Sequence, residues 1–280
     1  MANYTTADIK ALREKTGAGM LDVKKALDEA DGDITRAEEI LAVKGQKGVA
    51  KREGRTTANG LVALQIEDGG AGQVGTLVEI DCETDFVAKG EPFQALAERV
   101  LAQAVKIGAN DPESLLASEV EAGTTVQQVV DQANAAIGEK IVVSKVARVE
   151  GARVTSYVHK TNPDLPPQIG VLVAYEGSDE TVARDVAMHI AAMSPTALTR
   201  DEIAADIVED QRRVAEEKTR EEGKPEQAIA KIVEGRVNAF FKENVLLEQE
   251  FTKDAKKSVA QVLKEAGATA TNFARFKVGV

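Results

Sequence analysis

The chain has 280 residues, enough for about two domains, with 43% hydrophobic residues but only 4% aromatic and no tryptophan, so its cores have to be aliphatic. A formal charge of −11 argues against a general attraction to nucleic-acid phosphates or to an anionic membrane surface, because counterion release needs lysine and arginine on the binding face. The single cysteine, Cys82, cannot close an internal disulfide, which fits a reducing cytoplasm; residues 1–10 lack a signal peptide's apolar stretch, and no run reaches the roughly 18 apolar residues of a membrane span.

Residues 5–45 read as three short helices. Thr5 and Asp8 have the spacing of a capping box, and Ile9 and Leu12 then share a face. Thr16-Gly17-Ala18-Gly19 breaks the helix; Met20, Val23 and Leu27 resume helical spacing. Asp31-Gly32-Asp33 forms a turn that offers Asp33 as the next N-cap, before Ile34, Ala37 and Leu41. A bundle this small has a marginal core and needs support from elsewhere. Residues 46–60 read as a linker, basic through Lys47, Lys51, Arg52 and Arg55 and interrupted by Gly48, Gly54 and Gly60; Lys44 and Gly45 stand at its start.

The period then changes from helical to two. Residues 61–67 and 74–82 predict strands around a turn at Asp68-Gly69-Gly70. Val78, Ile80 and Cys82 alternate with Glu79, Asp81 and Glu83, the pattern of a strand with one solvated face. Pro92 suits a helix start, and Phe93, Leu96, Ala97, Val100, Leu101 and Ala104 give that helix an apolar face. Residues 108–138 are less legible, a mixture of helix and loop, before a strand over 141–149. Strands over 154–159 and 168–175, a helical face at Val182, Val186, Ile190 and Met193, and a last strand over 272–278 repeat the scheme. Within the second unit, residues 209–222 are polar nearly all round, and Gly223-Lys224-Pro225 stops them before Ile229, Ile232, Val233, Val237 and Phe240 return as a helix. An antiparallel helical hairpin standing off the body accounts for this.

The expected fold is therefore α+β. It has a three-helix module (1–45), a linker (46–60), and two related subdomains of small antiparallel sheets with packed helices (61–151 and 152–280). The hairpin is inserted in the second at about 201–243.

Catalytic chemistry finds little support. Two histidines, His159 and His189, and one cysteine are too few for a zinc site of the usual kind, and neither HExxH, GxSxG nor a phosphate-binding GK[ST] loop occurs. The glycines of 16–20 do not follow a strand, so a dinucleotide site lacks its context. Glu79, Asp81, Glu83 and Asp85 read as surface charge rather than a catalytic cluster, Cys82 as a buried inert thiol, and His189 as a core or boundary residue. No catalytic residue, metal ligand or cofactor is assigned.

Several stretches resemble the elongation factor Ts family: Thr16-Gly17-Ala18-Gly19-Met20 with Lys24-Lys25-Ala26-Leu27, then Thr84-Asp85-Phe86-Val87, Gly170-Val171-Leu172-Val173, Ala187-Met188-His189 and Val233-Glu234-Gly235-Arg236. They occur in the family's order across almost the whole chain. The resemblance implies a ubiquitin-associated-like N-terminal module and a non-enzymatic protein that binds elongation factor Tu in its GDP-bound state and promotes GDP release. It assigns Thr84, Asp85, Phe86 and Val87 to dislocation of the partner's Mg²⁺, with Phe86 as a wedge, and Arg13, Thr16, Gly17, Ala18, Gly19, Met20, Leu21 and Lys24 to docking on the same GTPase domain. His159 would hold another domain of the partner.

Each residue also has a plainer reading. Phe86 falls between a strand and a helix and could be core; Met20 and Leu21 could be bundle packing; Lys24 and the linker could be solvated; His159 could be an ordinary loop residue. The hairpin could mediate a homodimer, contact the partner or do neither. Three departures from the family stand out. The chain stops at Val280, short of a helical module that some members place after the last strand. Asp185 replaces a basic residue of some relatives, and the loop over 160–167 is longer than in the shorter members. Two rivals remain, a ubiquitin-associated-type adaptor or scaffold and an acidic enzyme using Asp81, Glu83 and Asp85. An adaptor has no use for an exposed aromatic at Phe86.

Overall fold

Thr5 opens the first helix as a true capping box: its hydroxyl accepts the Asp8 N–H at 3.2 Å and the Asp8 carboxylate accepts the Thr5 N–H at 2.7 Å. The structure, a computed structural model, describes residues 3–121 and 123–279, and of Gln46 the backbone alone. In chain order the N-terminal part is α1 (Thr6–Thr16), α2 (Met20–Glu29) and α3 (Ile34–Arg52). The first sheet region follows as β1 (Asn59–Gly69), β2 (Gly72–Cys82), α4 (Asp85–Lys89), α5 (Glu91–Ile107), α6 (Pro112–Ala117), β3 (Glu119–Glu121), β4 (Thr124–Thr125), α7 (Val126–Ile137) and β5 (Ile141–Gly151). The remainder is β6 (Arg153–His159), β7 (Ile169–Glu176), α8 (Glu180–Met193), α9 (Ala205–Glu221), α10 (Glu226–Asn244), β8 (Glu250–Phe251), β9 (Asp254–Ser258), α11 (Val259–Glu265) and β10 (Thr269–Lys277).

The N-terminal helices bury Leu12, Val23, Ala26, Leu27, Ala37 and Leu41 against one another. The break expected near residue 45 is absent, because α3 continues through Gly45 and Gly48 to Arg52. Gly45 serves close approach instead of flexibility, as does Gly17 before α2. A side chain on Gly45 would begin 3.2 Å from the Ala135 methyl of α7, and one on Gly17, where φ is +67°, only 2.8 Å from Ala136. At the end of α3 the Arg52 guanidinium donates to the Asn134 side-chain oxygen at 2.9 Å and to its carbonyl at 3.1 Å. The small bundle thus leans on α7.

Two three-stranded antiparallel sheets form the body, β1-β2-β5 and β6-β7-β10, with the second strand central in each. Both are laid down alike: an adjacent pair, a helical excursion, then a third strand beside the second. The region 108–138 resolves into α6, a short β3-β4 pair and α7.

β2 corrects the alternation reading. It is buried from Val74 through Cys82, on both faces. Val78, Ile80 and Cys82 share a core with Phe93, Leu96, Ala97 and Val100 of α5. On the other side Leu77 meets Val154, Leu172 and Ala174 of the second sheet. Gly75 and Gly170 admit that contact, since a side chain on either would start within 2.9 Å of Leu172 or 2.8 Å of Leu77. Alternation signals a solvated face only while nothing packs on it.

In the second unit α9 buries only Ala215 and Thr219. Ala215 shares an apolar cluster with Ile229, Val233, Val237 and Phe241 of α10, separate from the sheet cores. No helix among the described residues is long and apolar enough to cross a membrane.

Candidate functional site

The carboxylates spaced along residues 79–85 end in different environments. Glu79 and Asp81 are buried, which overturns their reading as surface charge. Glu79 accepts the Lys145 ammonium at 3.2 and 3.3 Å, and Asp81 accepts the Ser144 hydroxyl while its other oxygen, Oδ1, has no hydrogen-bond partner. Burial, reinforced by the charge of Asp81 and opposed by Lys145, pushes Glu79 up to about 7; burial also raises Asp81, against Ser144 and Lys145. Among the described residues no group of three or more His, Cys, Asp or Glu could hold a metal ion.

Glu83 and Asp85 lie further out. The Glu83 carboxylate accepts the Lys140 N–H at 2.6 Å and the Arg55 guanidinium at 3.1 Å, and these bonds, the backbone one first, hold it below its ordinary value. Asp85 is exposed and lowered chiefly by its hydrogen bond to Lys89, one turn on, at 3.0 Å.

Between and beyond them sits the Thr84–Val87 stretch. Thr84 caps α4, its hydroxyl accepting the Val87 N–H at 3.3 Å. α4 has a single turn, and that turn sorts its side chains: Ala88 is fully buried, Val87 packs against the first core, and Phe86 points away with 86% of its surface exposed. The core reading of Phe86 is thereby excluded. A solvated phenyl ring forgoes about 1.5–3 kcal/mol of burial within its own chain. Its base is firm. Thr84 donates its N–H at 3.0 Å and its hydroxyl at 2.7 Å to the Glu139 carboxylate, and Asn59 donates to the Glu83 carbonyl at 2.9 Å.

The N-terminal residues divide into two groups. Met20 and Leu21 are 61% and 64% exposed, and Arg13 and Lys24 are exposed beside them in sequence. Thr16 and Ala18 are half-buried and Gly17, though exposed, lies against α7: the Thr16 hydroxyl donates to the Leu12 carbonyl at 2.6 Å, and Ala18 packs on the bundle core. Gly19 caps α2 through its backbone alone. A cleft of about 580 Å³ opens between these helices and α7. Two of its lysines are already paired, Lys15 with Glu38 and Lys44 with Asp22, each at 2.6 Å. The linker cations are likewise partly engaged, Arg52 with Asn134 and Arg55 with Glu83.

His159 is exposed at the end of β6, its Nδ1 3.1 Å from the Tyr157 hydroxyl. The loop over 160–167 that follows is stitched to the first sheet, where the Val62 N–H donates to the Pro167 carbonyl at 2.9 Å. His189 is wholly buried and held as the neutral ring: its Nε2 lies 2.9 Å from the Gln249 side-chain oxygen, and the Thr252 N–H donates to its Nδ1 at 3.2 Å. Asp185 pairs with Lys253 at 2.7 Å. Cys82 is buried, and desolvation first, then Glu139 and Asp81, push its thiol up to about 12.

Sequence reading missed Glu139 and Lys140, which brace the exposed turn from the α7–β5 connection. An acid and a lysine after a helix-ending glycine carry no distinguishing signal, and their partners lie more than fifty residues away in the chain.

Comparison with known proteins identifies the family. A sequence model of the family described as Elongation factor TS matches residues 83–280. The chain is 59% identical to an elongation factor Ts of Kineococcus radiotolerans, and 58% identical to those of Beutenbergia cavernae and Streptomyces griseus subsp. griseus, each alignment covering all of both chains. With relatives of this similarity along its entire length, the chain belongs to the elongation factor Ts family.

Proposed function

We propose that the protein binds elongation factor Tu in its GDP-bound state and releases the nucleotide by inserting Phe86 beside the partner's Mg²⁺ and phosphate site. Guanine-nucleotide exchange in translation elongation is the role of the family. The observation that carries the mechanistic reading is the 86% exposure of Phe86 on a turn whose backbone is braced from below.

A GTPase grips GDP through loop N–H groups around the phosphates and through Mg²⁺, so displacing either grip speeds release. Thr84 and Asp85 would meet the polar surroundings of that site, with Val87 anchoring the turn. Arg13, Met20, Leu21 and Lys24 form the exposed part of a second contact, with Thr16, Gly17, Ala18 and Gly19 shaping the bend between α1 and α2 behind it. His159 supplies a third contact from the second sheet. Several grips on one partner make the wedge's entry nearly intramolecular. By linkage, the factor by which the protein weakens GDP equals the factor by which GDP weakens the protein; GTP then enters by supply.

In this reading residues 1–45 form a ubiquitin-associated-like module and 46–60 a connection that is helical in its first half. Residues 61–151 and 152–280 are related subdomains, and α9 with α10 is the inserted hairpin, available to the partner or to a second copy. The protein catalyses no covalent reaction, binds no nucleic acid and works in the cytoplasm. The adaptor reading gains no observation of its own.

The test is release of a fluorescent GDP from elongation factor Tu. Wild type should accelerate release at sub-stoichiometric amounts, and Phe86→Ala should bind yet accelerate far less. A wild-type protein without effect on the rate would end this reading.

A further inference from the structure

We propose that Glu139 is a positioning residue for Phe86, setting the direction of the exposed ring through Thr84; this rests on the wedge reading above. A ring exposed over 86% of its surface has almost no packing of its own, so its direction is decided by the backbone of residues 84–88. From beneath, that backbone is held by Val87 and Ala88 in the core. At its front it is held by Thr84, and Thr84 is held by Glu139.

The geometry is specific. One carboxylate takes both donors of Thr84, the N–H on Oε2 at 3.0 Å and the hydroxyl on Oε1 at 2.7 Å. A hydroxyl is a free rotor with one hydrogen and two lone pairs. With its hydrogen committed to Glu139, the lone pairs are left for the Val87 N–H, which donates to the same oxygen at 3.3 Å. Glu139 therefore makes Thr84 an acceptor at the start of α4, and the bonds it receives are of the stronger, charge-assisted kind.

Glu139 is itself fixed. The next residue, Lys140, donates its N–H to Glu83 at 2.6 Å and its ammonium to the carbonyls of Glu53 and Arg55 at 2.6 and 3.1 Å. The connection between α7 and β5 thus ties the chain leaving α3 to the turn that carries Phe86.

The experiment is release of fluorescent GDP from elongation factor Tu, measured against concentration of the full-length protein. The variants are Glu139→Ala, Glu139→Gln, Phe86→Ala and the Glu139→Ala/Phe86→Ala double variant. Glu139→Ala should lower the release rate at saturation about tenfold, as loss of charge-assisted bonds allows, while the half-saturating concentration stays within about twofold. Glu139→Gln, which still accepts one bond, should fall between, and serves where the alanine variant folds poorly. In the Phe86→Ala background Glu139→Ala should cost nothing further, because the ring it aims is gone. A wild-type saturating rate for Glu139→Ala overturns the proposal, as does an undiminished loss in the double variant, which would mark a structural role only. If Phe86→Ala itself releases GDP at the wild-type rate, the wedge reading fails first, and that outcome is distinct from both.

Discussion

Glu79 and Lys145 stand directly opposite each other on β2 and β5, with carboxylate and ammonium 3.2 Å apart; the ammonium also lies 5.9 Å from the centre of the Phe276 ring on the second sheet. The pair closes the seam between the two sheets at a point where the acid is 1% exposed. Removing Lys145 would leave a buried carboxylate without its cation, so Lys145→Met should cost about 2 kcal/mol at pH 8, read from urea unfolding.

The same burial sets a pH dependence. Glu79 has its value raised from 4.5 to about 7, so between those values the folded protein holds a proton that the unfolded chain has lost. Its contribution is fully present below about 4.5 and disappears as pH rises to 7. His189, lowered from 6.5 by burial, acts oppositely, its contribution being lost as pH falls below that value. The two are separated by comparison with Glu79→Gln: the urea midpoint of wild type relative to this variant should fall steadily from pH 5 to pH 8. Parallel profiles would show that Glu79 titrates normally.

Phe86→Ala should leave stability within about 0.5 kcal/mol of wild type, since the ring touches little of its own chain. Thermal melts of the two proteins should overlay. A loss of several degrees would mean that the ring packs in solution.

The seam between the N-terminal helices and α7 depends on small residues and one arginine. Arg52→Ala would leave the buried Asn134 side chain short of its donor, and Gly45→Val would push α3 off Ala135. Either should weaken docking by about 1–3 kcal/mol. The readout is tryptic cleavage after Lys51 and Arg55, sites that both variants keep, which should rise about tenfold while residues 59–279 stay resistant. Unchanged cleavage would show that these contacts do not hold the helices in place.

Cys82 should resist alkylation in the native protein at pH 8 and react fully in denaturant, because its thiol is buried and pushed up to about 12. Rapid native labelling would show that the end of β2 opens.

Much of the fold was legible because its signals are local. The capping box at Thr5 and Asp8 acts within one turn, the apolar face of α5 follows from the helical period, and the hairpin turn after β1 follows from its glycines. The family was legible in short motifs, above all Thr84-Asp85-Phe86-Val87. Gly45 was misread because a glycine looks the same whether it loosens a chain or lets another helix approach. Glu79 and Asp81 were misread because period-two alternation records the two faces of one strand and says nothing of a second sheet that covers the polar face.

The linear order of residues thus decided the elements, their caps and the motif that names the family, since each depends on neighbours a few positions apart. Whether Phe86 faced solvent or core, and which distant residue steadied it, waited on the packing of α4 against the first core and on Glu139 arriving from the α7–β5 connection. Those outcomes depend on contacts between residues far apart in the chain, and only the folded arrangement brings them together.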